Sequence, residues 1–162
     1  MAAKIGVISD THGTLRPDVV ERLKDCDYII HAGDFDRESL LLELEDIGPL
    51  CAVRGNNDWG SWTRELPYQR TFTIDGVTFF MTHKREDVPR VLKDEVKVVV
   101  FGHSHQYFQS EAGGRLWLNP GSCGRPRFRC GLSMAMLTIE RGEVQVERID
   151  LPLSDRDRLY GF

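Results

Sequence analysis

The chain has 162 residues, 41% of them hydrophobic and 28% charged, which is typical of one globular domain with a substantial core. Its formal net charge of -4 argues against broad electrostatic binding to nucleic acid or to an acidic membrane, so a specific pocket is expected instead. The four cysteines form no C-x-x-C pair and are expected to be reduced. With no apolar run near the ~20 residues of a membrane span, we expect a single cytoplasmic domain over residues 1–162.

The first third of the chain alternates predicted strands with predicted helices. The apolar run Ile5–Ser9 predicts a strand, and Pro17 can occupy the first turn of a helix that continues to about Lys24. Further segments, in chain order, are a strand near 27–32, a helix over 37–45 ended by Gly48 and Pro49, and a strand over 51–54. This β-α-β-α-β order predicts a parallel sheet with right-handed crossovers.

The remainder of the chain is rich in predicted hairpins. Three pairs of strands flank glycine-containing turns, at 69–74 with 77–82, 106–112 with 115–118, and 132–140 with 143–150. One helix is expected near Glu86–Lys93, and loops are expected over Trp59–Tyr68 and Arg125–Cys130. Two sheets that each need a cover predict a β-sandwich with helices on its outer faces.

Polar clusters follow five of the predicted strands at the points where the strands end. They are Asp10-Thr11-His12-Gly13, Gly33-Asp34, Gly55-Asn56-Asn57-Asp58, Thr82-His83 and Gly102-His103-Ser104-His105. In an open α/β sheet, the residues that follow the carboxyl ends of the strands meet in one crevice. The sequence therefore predicts that these clusters form one site.

The chemistry of the clustered side chains indicates metal binding. A hydrolytic site with two ions needs ligands for both, a shared ligand, and an open position for a substrate oxygen. A mixed set of carboxylates and imidazoles suits first-row transition metals. Each cluster by itself could be structural, since Gly-Asp and Gly-Asn pairs are common in turns. Their shared position after strand ends is what favours a common metal site.

The ordered motifs D-x-H, G-D, G-N, a lone histidine and G-H-x-H resemble those of the calcineurin-like metallophosphoesterases. They fall at Asp10 to His12, Gly33-Asp34, Gly55-Asn56, His83 and Gly102 to His105. The segments 31–35 and 119–122 are similar to the small prokaryotic phosphodiesterase branch of that family, the YfcE-like group. The resemblance implies an α/β fold, a four-layer α/β/β/α sandwich of two mixed sheets flanked by helices.

The same resemblance implies a ligand set and an activity. Asp10, His12 and His105 would hold one divalent ion, Asn56, His83 and His103 would hold the second, and Asp34 would bridge them. A hydroxide bridging the ions would then attack phosphorus in line, which makes the chain a metal-dependent phosphodiesterase. Manganese is the expected ion, with nickel, iron, cobalt or zinc also compatible. The expected partners are a small phosphodiester substrate and further copies of the chain, in a homodimer or homotetramer, with nucleic acid not expected as a bulk partner.

One departure from the family pattern bears on catalysis. Asn57 stands where many members carry a histidine that protonates the leaving group, and an amide cannot serve as an acid at neutral pH. We therefore predict a preference for diesters with stable leaving groups, with Asn57 and Asp58 as the candidate catalytic residues. Asp58 would orient a water or a ligand, or would close a polar turn. A non-catalytic scaffold and a phosphomonoesterase or nuclease remain the alternative functions.

Several further side chains are candidates for the substrate pocket. Arg125 and Arg127 could bind a phosphodiester, as could Arg129 beside Phe128, although a solvated surface loop would have the same composition. Lys84 or Arg85, which follow His83 where relatives carry glycine and histidine, could place positive charge near the phosphate.

Three other residue types invite a functional interpretation. Trp59 and Trp62 could form a wall of the pocket or a subunit contact. His31 is interpreted as a core or supporting histidine, and Ser104 lacks the G-x-S-x-G context of a hydrolase nucleophile.

Overall fold

The structure is a computed structural model that describes residues 2–127 and 130–160, and two five-stranded mixed sheets form its centre. The first sheet has the strand order β10-β9-β1-β2-β3. Its strands are β1 (Ala3–Ile8), β2 (Tyr28–His31), β3 (Leu50–Ala52), β9 (Leu132–Glu140) and β10 (Glu143–Leu151). Strands β1, β2 and β3 run parallel, and the β9–β10 hairpin joins them antiparallel to β1.

The second sheet has the strand order β4-β5-β6-β8-β7. Its strands are β4 (Gln69–Ile74), β5 (Val77–Thr82), β6 (Val96–Val100), β7 (Tyr107–Ala112) and β8 (Arg115–Pro120). All three predicted hairpins are present. The second half is less antiparallel than expected, because β6 lies parallel to both β5 and β8.

Three α-helices are described, and all belong to the side of the first sheet. Helix α1 (Pro17–Leu23) begins at the proline, and α2 (Glu38–Ile47) ends where the Gly48 amide N–H donates to the carbonyl of Leu44. Helix α3 (Asp155–Tyr160) was not predicted. It is tied to α1 through a paired contact between the Arg16 guanidinium and the Asp157 carboxylate, whose shorter N–O distance is 2.7 Å.

The residues of β1 show why its sequence is apolar without alternation. Val7 belongs to the core between the two sheets, whereas Ile8 belongs to the core between the first sheet and its helices. Both side chains are fully buried, and each such side chain contributes about 1.5–3 kcal/mol to folding. Buried on both faces, the strand fixes the position of the loop that follows it.

The predicted two-sheet sandwich is confirmed, but the helix expected near Glu86–Lys93 is wrong. That segment contains only a 3₁₀ turn, Arg85–Asp87, followed by irregular chain. Pro89 lacks the amide N–H that a continuing helix would use. Val88 and Leu92 instead cover the outer face of the second sheet, packing against Phe80 and other apolar side chains. A second 3₁₀ helix, Ser61–Glu65, lies within the predicted loop Trp59–Tyr68.

Two expectations from composition can be compared with the structure. All four cysteines are free, as predicted. Within residues 2–127 and 130–160, each helix is too short or too polar to cross a bilayer.

Candidate metal centre

The predicted clusters meet at one edge of the sandwich. Backbone hydrogen bonds join the loops there, from the Asp10 amide N–H to the Gly33 carbonyl at 3.0 Å and from the Gly102 amide N–H to the His83 carbonyl at 2.9 Å. Because β1, β2 and β3 are parallel to one another, as are β5 and β6, their carboxyl ends lie together. The five strand ends therefore supply one site.

Three of these loops share one backbone shape. In each, two residues separated by a single position adopt positive φ, a conformation that costs a non-glycine residue about 1–2 kcal/mol. The pairs are Asp10 with His12 (56° and 46°), Asp34 with Asp36 (69° and 74°), and His103 with His105 (73° and 62°). Strained residues of this kind concentrate at functional sites, where the surrounding structure holds them.

Two glycines allow the loops to approach so closely. A Cβ atom on Gly55 would overlap the Asp34 side chain, and one on Gly102 would overlap the side chains of Ser9 and Asp10. These glycines belong to the predicted G-N and G-H-x-H motifs. Their role is thus to bring backbone against the two buried carboxylates.

The first ligand group contains Asp10, His12 and His105. The Oδ1 atom of Asp10 lies 3.6 Å from Nε2 of His12 and 3.4 Å from Nε2 of His105. The two Nε2 atoms are 3.2 Å apart. The other oxygen of Asp10 accepts hydrogen bonds from the Ser9 hydroxyl and the His103 amide N–H, at 2.6 and 3.0 Å. Only Oδ1 of Asp10 therefore points into the group.

Hydrogen bonds at Nδ1 fix which nitrogen of each ring faces inward. His83 Nδ1 donates to the carbonyl of Ala32 at 2.7 Å, and His105 Nδ1 donates to the carbonyl of Arg125 at 3.2 Å. His12 Nδ1 donates to the carboxylate of Asp36 at 3.0 Å. Since these partners only accept, a neutral ring presents an Nε2 lone pair to the centre.

The second ligand group contains Asp34, His83 and His103, with Asn56 beside them. Nε2 of His83 lies 3.1 Å from Oδ2 of Asp34, and Nδ1 of His103 lies 3.1 Å from Oδ1 of Asn56. The same Asp34 oxygen is 3.6 Å from Nε2 of His12 in the first group. Asp34 thus lies between the two groups, in the position that the bridging role requires.

The donor atoms fit divalent cations. Among the described residues, Oδ1 of Asp10 and Nε2 of His83 are buried side-chain atoms without a hydrogen-bond partner. Leaving a buried acceptor unpaired costs about 1–3 kcal/mol, and lone pairs of several acceptors face one another here. A cation between them would remove that cost, and the mixture of carboxylates and imidazoles suits a first-row transition metal.

The carboxylates and imidazoles of the site shift one another's pKa values. Burial opposes ionisation of Asp10, but the facing imidazoles of His105 and His12 hold the pKa of this carboxyl well below its usual range. Burial also disfavours protonated His12, yet Asp10 and Asp36 raise the pKa of this imidazole to about 8. The pKa of His83 is raised by Asp34 and Asp10 despite burial. The carboxylates therefore favour positive charge among the imidazoles.

A cleft of about 430 Å³ opens over the two ligand groups. Its lining includes His12, His103 and His105 together with Arg125 and Arg127. Nη1 of Arg127 donates to the carbonyl of His103 at 3.2 Å. The structure thus places both predicted substrate-binding arginines at the metal cleft, while Phe128 and Arg129 lie outside the described residues.

The two predicted catalytic residues differ in their surroundings. The exposed Asn57 lies at the cleft, where its backbone N–H donates to Oδ1 of Asp34 at 2.9 Å. Asp58 is buried, and its two oxygens accept from four backbone N–H groups, those of Asp34, Phe35, Asp36 and Gly55. These contacts give Asp58 the turn-closing role, through which it positions Asp34, and no contact with the cleft.

The remaining candidates lie outside the ligand groups. His31 accepts a hydrogen bond from the Gly33 amide N–H at Nδ1, and its Nε2 donates to the Thr11 hydroxyl at 2.9 Å. Burial lowers the pKa of His31 to about 3, so the ring is neutral. The Ser104 hydroxyl accepts from the Asn119 amide at 3.1 Å, which makes it a structural contact.

Neither Trp59 nor Trp62 lines the metal cleft. Trp62 packs edge-on against Phe35, with their centroids 6.3 Å apart, and Trp59 is 72% exposed. Arg85 also lies elsewhere, since its guanidinium stacks over Phe101, Phe108 and Trp117 on the outer face of the second sheet.

Asp36 is the functional residue that the sequence interpretation missed. It orients His12, and it occupies the second position of an Asp-x-Asp loop whose shape matches the D-x-H and H-x-H loops. The repeated spacing of two after Asp34 was the available signal. The hydroxyl of Ser122 donates to the Asp10 carbonyl at 3.0 Å. Ser122 belongs to the segment 119–122, for which a tight turn near the site is expected from the sequence, although its first two residues belong to β8.

Comparisons with known proteins agree with this geometry. Residues 3–142 match the family model described as the calcineurin-like phosphoesterase superfamily domain. A protein named probable metallophosphoesterase from Methanothermobacter thermautotrophicus is 33% identical over 90% of this chain and 91% of its own. A solved structure described as an archaeal phosphodiesterase has a TM-score of 0.75 at 25% identity, over 91% of this chain and 99% of that one.

The same fold occurs in a solved structure of Vps29 from Chaetomium thermophilum. Its TM-score is 0.74 at 19% identity, over 92% of this chain and 97% of that one, which shows a shared fold alone. The family-model match instead spans most of this chain and both of its ligand groups. The chain belongs to the calcineurin-like phosphoesterase superfamily, whose members use divalent metal ions.

Proposed function

We propose that this protein is a divalent-metal-dependent phosphodiesterase with two metal ions in one centre. The observation that carries the proposal is the pair of ligand groups on either side of Asp34, with two buried acceptor atoms that lack partners among the described residues. Asp10, His12 and His105 would hold one ion, and His83, His103 and Asn56 would hold the other. Manganese is the proposed ion.

When bound, the ions would supply a deprotonated water for in-line attack on phosphorus and would neutralise charge on the phosphoryl oxygens. The residues of the chain provide orientation. The Nδ1 hydrogen bonds of His83 and His105 fix their rings, and Asp58 holds the loop that carries Asp34. Arg125 and Arg127 line the cleft on which a phosphodiester would bind.

A preference for diesters follows from the side chain at position 57. The Asn57 amide lies 3.4 Å from Oδ2 of Asp34, so it can donate a hydrogen bond close to the reacting position but cannot release a proton at neutral pH. Good leaving groups, which need no acid, would therefore be favoured. A phosphodiester also carries one negative charge fewer than a fully ionised monoester beside the two buried carboxylates.

The test is the initial rate with an aryl phosphodiester and its monoester, using protein stripped of metal and reloaded with Mn²⁺. Asp34→Ala removes the shared ligand and is expected to lower the diester rate by about 10³-fold or more. Asp46→Ala, on the exposed side of α2, is the matched control and should retain activity. A monoester rate equal to the diester rate would contradict the preference, and metal-independent turnover would contradict the centre.

A non-catalytic scaffold is the second candidate. It is favoured by Asn57, which lacks the acid function, and by the fold shared with Vps29. Retention of every ligand-type residue argues against it, since a binding surface has no need of two adjacent cation sites. Absence of turnover with any divalent ion, in protein that binds two ions, would favour the scaffold.

A further inference from the structure

A second, smaller cavity adjoins the metal cleft. Its volume is about 170 Å³, and it shares Asn56 with the cleft while containing neither Arg125 nor Arg127. His83, from the second ligand group, also lines it. A substrate whose phosphorus lay over the ligand groups could therefore extend a substituent into this cavity.

Lys84 gives the cavity an unpaired positive charge. Its side chain is half-buried and, within the described part of the chain, has neither a hydrogen bond nor an ion pair. A partly buried charge without a partner loses hydration that nothing replaces.

Arg54 and Tyr68 form another wall of the cavity. The Arg54 guanidinium lies over the Tyr68 ring, 5.1 Å from its centroid, and Nε of Arg54 donates to the Asp58 carbonyl at 3.0 Å. The arginine is thus held in place, and Tyr68 as a whole is 63% exposed. The carboxylate of Asp87 is the one acidic side chain among the lining residues, against two basic ones.

We propose that this cavity is a substrate subsite that binds an anionic group carried by the second ester substituent, with Lys84 as its specificity-determining residue. The proposal rests on the phosphodiesterase function. A cavity of about 150 Å³ can hold one benzene ring, so there is room for a carboxylate, a phosphoryl group or a single ring that bears one. The Tyr68 ring offers a flat face for such a ring.

The test compares two p-nitrophenyl aryl phosphodiesters that differ only in a 3-carboxylate on the second ring. In Lys84→Met, kcat/KM for the carboxylated substrate relative to the uncharged one should fall about tenfold from its wild-type value, since a charged hydrogen bond is lost. Lys84→Arg should restore most of the ratio. Lys97→Met, an exposed lysine on β6, is the control and should leave the ratio unchanged.

A binding measurement separates this proposal from the phosphodiesterase function. Calorimetry with the corresponding carboxyphenyl phosphonate and metal-loaded protein should show about tenfold weaker binding to Lys84→Met than to wild type. The subsite would be overturned if wild type and Lys84→Met had the same kcat/KM ratio for the two diesters and the same affinity for the phosphonate. If neither diester were hydrolysed, the phosphodiesterase function would fail, and the phosphonate would still report on the cavity.

Discussion

The two ligand groups differ in how firmly the protein holds them. In the first, Asp10 and His105 are buried, and the His12 side chain is only 10% exposed. In the second, Asn56 is exposed and His103 is half-buried, although His83 is as buried as the first group. The first group borders the cleft alone, whereas the second borders both the cleft and the smaller cavity, and we call them the closed and the open group.

The anchoring of the side chains differs between the groups at one residue, His103. The rings of His12 and His105 are each fixed by an acceptor at Nδ1. His83 of the second group is anchored too, but the partner of His103 Nδ1 is the exposed side chain of Asn56, which is itself a proposed ligand. Ligands fixed by outer hydrogen bonds bind metal more tightly. We therefore expect the first group to be the better preformed for metal binding and the second to be more adaptable.

This contrast predicts that removing a ligand lowers the affinity for Mn²⁺ more in the closed group than in the open group. His105→Ala should weaken the tighter of two Mn²⁺ binding steps by about 100-fold or more, whereas Asn56→Ala should weaken the other step by about tenfold or less. Calorimetric titration of metal-free protein measures both steps and their stoichiometry. Equal losses in the two variants, or a single ion per chain, would contradict the division into a closed and an open group.

A histidine introduced beside the open group should be able to act as a general acid. Asn57→His would place an imidazole beside Asp34 and restore an acid for the leaving oxygen, so turnover of a phenyl phosphodiester should rise by about tenfold or more. A p-nitrophenyl diester, whose leaving group needs no proton, should respond far less. Steady-state rates with both esters provide the measurement. An equal change with the two esters would indicate altered geometry and not acid catalysis.

The closed group should depend on Asp36, which is not a proposed ligand. Asp36→Asn removes the charge that holds His12 Nδ1–H, and Mn²⁺ affinity at the tight step should fall about tenfold. Because Asn can still accept a hydrogen bond, Asp36→Ala should cost more. Asp46→Asn, remote on α2, is the control. Unchanged affinity in both Asp36 variants would show that burial alone holds His12.

The ligand-type residues could be predicted from the sequence because each lies within five residues after the end of a strand. Strand β6 ends in the apolar run 98–100, and the G-H-x-H residues begin two positions after it. Once the strands are recognised, the rule that carboxyl ends converge brings the side chains together without knowledge of the packing.

Asp36 and the covering of the second sheet could not be predicted in this way. Asp36 acts on His12, 24 positions earlier, through a contact between two loops. The spacing of two after Asp34 marks Asp36 as unusual but does not reveal its partner. The segment after Arg85 has the apolar residues of an amphipathic helix, yet Val88 and Leu92 pack on the sheet from an irregular backbone. A proline and the shape of the sheet surface decide that conformation.

The smallest predicted effect on stability belongs to His31. Its ring contacts Thr11 and the backbone of Gly33, and so joins two loops of the site. Burial lowers its folded-state pKa to about 3, below the ordinary value of 6.5. The unfolded chain therefore takes up the proton first, and the stabilisation is complete above pH 6.5 and is lost as the pH falls toward 3. Between pH 7 and pH 5.5, this ring should lower the free energy of unfolding by about 1 kcal/mol.

The measurement is urea unfolding of metal-free wild type and His31→Gln across that pH range. Asp10 and Asp34, whose pKa values are lowered from 3.8, stay ionised in both states across this range. His12 and His83, whose pKa values are raised, gain stabilisation on acidification in both proteins, so the difference between the two proteins isolates His31. Glutamine does not titrate, so the stability of wild type relative to the variant should fall as the pH is lowered. If the two curves ran parallel, the ring would be solvated or charged in the folded protein, and the neutral contact between Thr11 and the Gly33 turn could not be what supports the Asp34 loop.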